Sequence, residues 1–263
     1  MDINVLISNP DYFSNLLDYK EITGIYVEQE RLSPDRISRL VSLAHSKGKK
    51  LYVALPHVWN MEVEKTLNRE ISAIMGAFPD GYLVRNLDEL GLLSDRNARG
   101  TMIMDASMYT WNKASMYELA RAGANIFTAP YELNRKELIA RGFADTEVVI
   151  YGYYPMMVSN NCLKQTTGRC VKEKNPYGIY HLKDHTGTVF TAVNQCKYCY
   201  NVIYNNVPTW LLDEKEVYAG CSVRLSFTIE SELEMKNILA NYFSGNAEVS
   251  GKFTRGHYKR GAE

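Results

Sequence analysis

A chain of 263 residues, 46% hydrophobic and 23% charged, has ordinary globular composition, which excludes a disordered or fibrous protein. Its 30 basic and 30 acidic side chains balance to a formal net charge of +0, so no global field draws it to nucleic acid or to an anionic membrane, and only a local basic patch stays open. No apolar run reaches the roughly 20 residues that cross a bilayer. Met1-Asp2-Ile3-Asn4 lacks the basic segment and apolar core of a signal peptide, so the expected location is cytoplasmic.

In chain order, short runs rich in branched and aromatic residues alternate with amphipathic stretches. Asn4 to Ile7, Gly24 to Glu28, Leu51 to Leu55, Tyr82 to Val84, Thr101 to Asp105, Asn125 to Thr128, Val148 to Tyr151 and Val223 to Thr228 read as strands. Ser33-Pro34 opens a helix with a capping residue and a first-turn proline, and Ile37, Leu40, Val41 and Ala44 recur at helical spacing until Gly48. Glu62 to Met75, Lys113 to Ala122 and Arg135 to Ala140 are further helices, and Gly123 and Gly142 stop the last two. Strand-helix alternation implies a parallel sheet, and eight strands at this length favour one (β/α)8, TIM-barrel-like domain over 1–263. The pattern breaks after Tyr151. Residues 152–212 show no clean helical period, so they read as an irregular, cysteine-rich excursion before the last strand and its helix, Ser231 to Phe243. Because it leaves from a strand end, it is expected over the C-terminal mouth of the barrel.

Four of the five cysteines lie in that excursion. Cys162 and Cys170 are separated by seven residues, and Cys196-Lys197-Tyr198-Cys199 is a Cys-x-x-Cys whose spacing points two thiolates at one centre. Four thiolates suit a 4Fe-4S cluster or tetrahedral zinc; the seven-residue gap is unlike a compact zinc knuckle, and a redox dithiol or merely buried thiols are further readings. A bound metal would hold the excursion in place, and a purely structural metal site would make the chain a binding module rather than an enzyme. Cys221, beside Val223, Leu225 and Phe227, reads as a small core residue.

Barrel chemistry sits at the C-terminal ends of the strands, which singles out Glu28, His57, Arg85, Asn86, Asp105, Asn112, Glu132, Arg224 and Glu230 as candidates to face a substrate. For each, a loop hydrogen bond or an ion pair between strand ends is an equal reading. His57 after Pro56 has the chemistry of a general base, although a lone loop histidine is more often simply hydrogen-bonded. The tail from Lys252 to Arg260 interleaves Lys252, Arg255, His257, Lys259 and Arg260 with Phe253 and Tyr258; this composition suits phosphate and base stacking, and equally a solvated tail. Neither Gly-x-Ser-x-Gly nor His-Glu-x-x-His occurs, and four thiolates saturating one metal leave no open position for hydrolysis.

The run from Tyr151 to Cys162, Tyr-Gly-Tyr-Tyr-Pro-Met-Met-Val-Ser-Asn-Asn-Cys, resembles the signature of the collagenase-like peptidase family, the unclassified-mechanism peptidase family numbered thirty-two. Leu55-Pro56, Gly81 to Asn86, Asp105 with Asn112, Tyr131 to Asn134, His181 to Asp184 and Thr254 to Gly261 extend the resemblance over nearly the whole chain. It is nearest to the C-terminal part of longer members, so the chain reads as a short relative or as a segment beginning at a supplied Met1. The resemblance implies a barrel and a 4Fe-4S cluster on four cysteines. It also implies a role in hydroxylating tRNA, rRNA or the ubiquinone ring, beside an older peptidase label that would make peptides the substrate. Cys162 falls on the family motif; Cys170, Cys196 and Cys199 are assigned by count and proximity.

Overall fold

The computed structural model describes residues 1–168, 170, 178–245 and 251–260; Gly261, the end of the C-terminal resemblance, lies outside them. Eight strands run parallel: β1 (Ile3–Ile7), β2 (Ile22–Glu28), β3 (Lys50–Ala54), β4 (Gly81–Val84), β5 (Thr101–Met104), β6 (Ile126–Thr128), β7 (Thr146–Gly152) and, after a long insertion, β13 (Ser222–Phe227). They pair in the order β7-β13-β1-β2-β3-β4-β5-β6, and β6 pairs back with β7, so the sheet closes into the expected barrel. Helices α2 (Pro34–Ser46), α3 (Met61–Gly76), α4 (Leu87–Asp95), α5 (Lys113–Arg121), α6 (Arg135–Arg141) and α8 (Glu232–Phe243) lie between and after the strands, a single turn, α1 (Phe13–Leu16), replaces the first helix, and another, α7 (Leu163–Thr166), lies in the insertion. Ser33 caps α2 by accepting from the Arg36 N–H, as its sequence predicts. Helix α4, which the periodicity does not announce, is short and rests on Asn86 as its cap.

Strand parity sorts the side chains. Leu6, Tyr26, Tyr52, Ala54, Leu83 and Ile103 form a small buried cluster inside the barrel, while Val5, Ile25, Val27, Val53, Val84 and Met104 join the larger layer under the helices. The inside is full at its lower end: a Cβ on Gly24 would fall 2.7 Å from Asn4 Oδ1 and 2.7 Å from the Tyr52 ring. Two residues further up each strand the inward positions become Glu28, Arg85 and Asp105, so charge sits toward the C-terminal mouth.

The insertion corrects the reading of an irregular excursion. β8 (Pro155–Ser159), β9 (Ile179–Lys183), β10 (Val189–Gln195) and β11 (Tyr200–Tyr204) form a separate antiparallel sheet in the order β8-β11-β10-β9. Its period-two pattern is blurred because buried positions include Asn194, Gln195 and Asn201. A short strand, β12 (Thr209–Trp210), then runs antiparallel to the upper half of β7, where three-residue β6 has already ended.

A charged barrel mouth beneath a cysteine hairpin

Five charged side chains from five strands meet inside the mouth. The Arg85 guanidinium donates two parallel bonds to Glu28, at 2.8 and 2.9 Å, a third to Asp105 at 3.0 Å and a fourth to the Leu55 carbonyl at 2.7 Å. Arg224 donates to the other Asp105 oxygen at 2.6 Å and lies 3.2 Å from Glu147. Glu147 also accepts from the Asn4 amide and the Tyr26 hydroxyl, both at 2.8 Å, and the Arg224 cation rests over the Tyr26 ring. Three carboxylates face two guanidiniums, and Arg224 Nε is buried with no partner. Burial alone would raise the Glu28 and Asp105 carboxyls, but Arg85 beside Glu28, and Arg224 with Arg85 beside Asp105, hold both below the usual carboxylate range.

The cysteine-bearing turn between β10 and β11 is pinned to this mouth. The Tyr200 hydroxyl donates to Glu30 and accepts the His57 backbone N–H at 3.1 Å. Tyr198 donates to Gln29 at 2.6 Å, and Lys197 donates to Glu70 at 2.7 Å and to the Leu32 carbonyl at 3.3 Å. Asn60, the cap of α3, donates to the Tyr198 carbonyl at 3.1 Å. The hairpin therefore sits at the C-terminal ends of β2 and β3, as expected. Burial and the Glu28 carboxylate push Glu30 up to about 7, and burial with Arg85 pushes His57 down to about 4. A neutral imidazole with so low a basicity is a poor general base near neutrality.

Cys162, Cys170, Cys196 and Cys199 all carry free thiols. Burial first, then the charges of Cys162, Glu62, Cys170 and Cys196, raises the Cys199 thiol, so the other three cysteines and Glu62 lie within electrostatic reach of it. Cys199 adopts a left-handed conformation with φ 58°, Asn194 Nδ2 approaches Cys162 Sγ at 3.5 Å, and Lys164 hydrogen-bonds Cys196. Four soft donors, with an N–H and an ammonium directed at two of them, fit the donor chemistry of a four-sulfur group. Among the described residues, no three His, Cys, Asp or Glu side chains are disposed to hold a single metal ion. Cys221 lies apart at the foot of β13, where burial pushes its thiol up to about 12.

The remaining candidates separate. Asn86 and Asn112 use their side-chain oxygens to cap α4 and α5. Glu132 is half-buried in the β6–α6 loop, Glu230 follows β13 and faces a different cavity, and His257 and Arg260 are exposed on the tail. Arg255, by contrast, is committed to Asp213 through two 2.5 Å bonds. Residues that strand-end reasoning missed are Asn4, Tyr26, Glu30, Glu147, Tyr198 and Tyr200; a lone Asn in Ile-Asn-Val-Leu-Ile and a lone Glu in Thr-Glu-Val-Val-Ile were the available signals.

Among the described residues, no helix is long and apolar enough to cross a membrane. No curated protein matches the chain. Among solved structures, a U32 peptidase aligns at a TM-score of 0.45 and 13% identity over 58% of this chain and 70% of its own. A glycerol uptake operon antiterminator-related protein from Thermotoga maritima aligns at 0.40 and 7%, over 89% and 98%. An uncharacterized B. cereus protein aligns at 0.45 and 10%, over 90% and 64%. The profile of peptidase family U32 matches residues 24–208, a span that includes Glu28, Arg85, Asp105 and all four clustered cysteines but stops short of Arg224. With well over half of its length inside that match, the chain belongs to peptidase family U32.

Proposed function

We propose that this chain carries an iron-sulfur cluster on Cys162, Cys170, Cys196 and Cys199 and takes part in hydroxylating RNA or a small aromatic substrate at the barrel mouth. The observation that carries the reading is the docking of the cysteine hairpin on the mouth through Tyr198 and Tyr200, with three other thiols within the field of Cys199. A bound cluster of this kind supplies electron-transfer chemistry. The protein's own groups do the rest. Arg85 and Arg224 fix the carboxylates of the mouth, and Arg224 Nε is a spare donor for a substrate oxygen. Glu30, poised near neutrality, can hold or release a proton at its carboxyl beside Tyr200. Tyr200 ties the hairpin to that carboxyl, so the cysteine-bearing turn keeps its place beside the mouth.

The test has two arms. Anaerobically purified protein is expected to be brown, with close to four irons and four sulfides per chain, and Cys199→Ser is expected to lose them while Cys221→Ala keeps them. One stoichiometric zinc in a colourless protein selects the zinc reading instead. Deleting the gene in its native host is expected to remove an oxygen atom from a tRNA, rRNA or quinone by mass spectrometry, restored by the parent gene and not by Cys162→Ser. Peptide cleavage by pure protein, with every such hydroxyl intact in the deletion strain, would make peptides the substrate.

A further inference from the structure

A second cavity, of about 240 Å³, lies outside the barrel wall between the end of β7, β12, α8 and the C-terminal tail. It does not include the cysteine hairpin or the Arg85 layer. Tyr153, Trp210 and Phe253 give it aromatic walls, with the Trp210 indole packed edge-on against Tyr151 at 5.7 Å. Two polar groups in that lining are left over. Glu230 is only 9% exposed; its Oε2 accepts the Thr228 and Ile229 N–H groups at 2.6 and 3.0 Å, and its Oε1 accepts nothing. The Tyr151 hydroxyl stands beside this carboxyl, and the two groups interact electrostatically. Trp210 is 4% exposed, and its Nε1–H donates to nothing. A buried polar group without a partner is costly to the folded state, and a pair lining one cavity points to a ligand that answers both.

The signs identify the ligand. Glu230 and Glu234 face the cavity against one cation, Lys252, and aromatic faces favour a cation over an anion. An ammonium alone leaves the indole N–H unanswered, so the ligand also presents an oxygen acceptor. We infer that this cavity binds a small organic ammonium ion carrying a nearby oxygen, the ammonium meeting Glu230 Oε1 and the oxygen meeting Trp210 Nε1–H. The charged and titratable groups around Glu230 agree: Tyr151 and Tyr153 from β7 and its exit, Tyr12 bonded to its backbone carbonyl, Glu234 from α8, and Lys252 from the tail. Burial pushes the Glu230 carboxyl up to about 7, so an ammonium that favours the ionised form binds more tightly as pH rises past that value.

The probe is ethanolamine, with ethylene glycol as its neutral counterpart, titrated into the nitrogen-15-labelled full chain. The readout is the indole N–H resonance of Trp210, assigned by its loss in Trp210→Phe. Ethanolamine is expected to shift that resonance saturably, more tightly at about pH 8 than at about pH 6; ethylene glycol is expected to leave it in place. Glu230→Gln keeps the oxygen that accepts from Thr228 and Ile229, and is expected to weaken binding by about tenfold or more. Asn241→Trp, which fills the cavity from the α8 side, is expected to abolish the shift, and it carries the test if Glu230→Gln does not fold. No saturable shift, an equal response to ethylene glycol, or binding undiminished in the folded variants would overturn the assignment.

Discussion

The barrel mouth and the hairpin above it treat polar groups in opposite ways. Inside the mouth, Glu28, Arg85, Asp105, Arg224 and Glu147 bond mainly to one another, held within β2, β7 and β13 or directly after β4 and β5. In the hairpin the side chains that bond to the barrel are two tyrosines and a lysine, while the cysteines meet only Asn194 and Lys164 among the contacts described above. The mouth is therefore a pre-organised electrostatic floor whose geometry the barrel sets alone, and the hairpin is a carrier whose tyrosines fix where its thiols stand. Removing a charge from the floor should cost stability, whereas removing a thiol should cost only what the thiols bind.

The largest effect is expected at Arg85. Arg85→Met leaves Glu28 buried with its main counter-charge gone and Asp105 with Arg224 alone, a loss of about 3–5 kcal/mol for breaking a buried pair from one side. Urea denaturation measures it. A loss under about 1 kcal/mol would mean that the mouth is wetter than its burial implies and would blur the contrast with the hairpin.

Glu89 comes next, and it tests the floor from beneath. Its carboxyl accepts the Arg85 N–H at 2.8 Å, its Oε1 has no partner, and burial pushes it up to about 8 from 4.5. The folded state therefore holds this proton more tightly than the unfolded state. Its stabilising share is complete below about pH 4.5 and is lost as pH rises through about 8. Between about pH 6 and about pH 8 the parent is expected to lose roughly 2 kcal/mol more than Glu89→Gln, read from denaturation midpoints at the two values. Parallel loss in both proteins would place the titration elsewhere.

At the junction of the two regions, Tyr200→Phe removes the hydroxyl that serves Glu30 and the His57 N–H, and is expected to cost about 1–3 kcal/mol. Hydrogen exchange distinguishes a local from a global effect. Faster exchange confined to β10 and β11 with the barrel protected is the outcome that keeps the regions separate. Uniform loss of protection would join them into one cooperative unit.

The strands were legible because each is a short run of branched and aromatic residues, and the length of the pattern implied closure. The charged mouth was half legible. Glu28, Arg85 and Asp105 stand at or just beyond three strand ends, where position marks them, but Arg224, Glu147 and Asn4 sit within β13, β7 and β1, where only their polarity among apolar neighbours betrays an inward face. Asn86 and Asn112 show the converse: strand-end position suggested substrate, and local hydrogen bonding made them helix caps. The insertion's sheet stayed hidden because its hydrogen bonds join β8 to β11 across some forty residues, a pairing that no local pattern encodes.

The smallest expected effect compares like with like, since Arg255 makes the same two-pronged contact as Arg85. Its guanidinium donates to both Asp213 oxygens at 2.5 Å, with Glu214 3.9 Å away, but Arg255 is 24% exposed and Asp213 41%. The surrounding tail has its own backbone attachments: the main-chain N–H of Trp210 donates to the Thr254 carbonyl, that of Thr254 to the Pro208 carbonyl, and that of Arg135 to the Tyr258 carbonyl, all at 2.9 Å. Solvent around the Arg255 pair screens its attraction, and these backbone bonds keep the tail in place when the side chain is cut back. Arg255→Ala is accordingly expected to cost under about 1 kcal/mol, to lose even that at high salt, and to leave β12 paired with β7. A loss equal to that of Arg85→Met would show that burial is not what separates the two arginines, and the tail would then have to be counted with the floor of the mouth rather than with the layer that covers it.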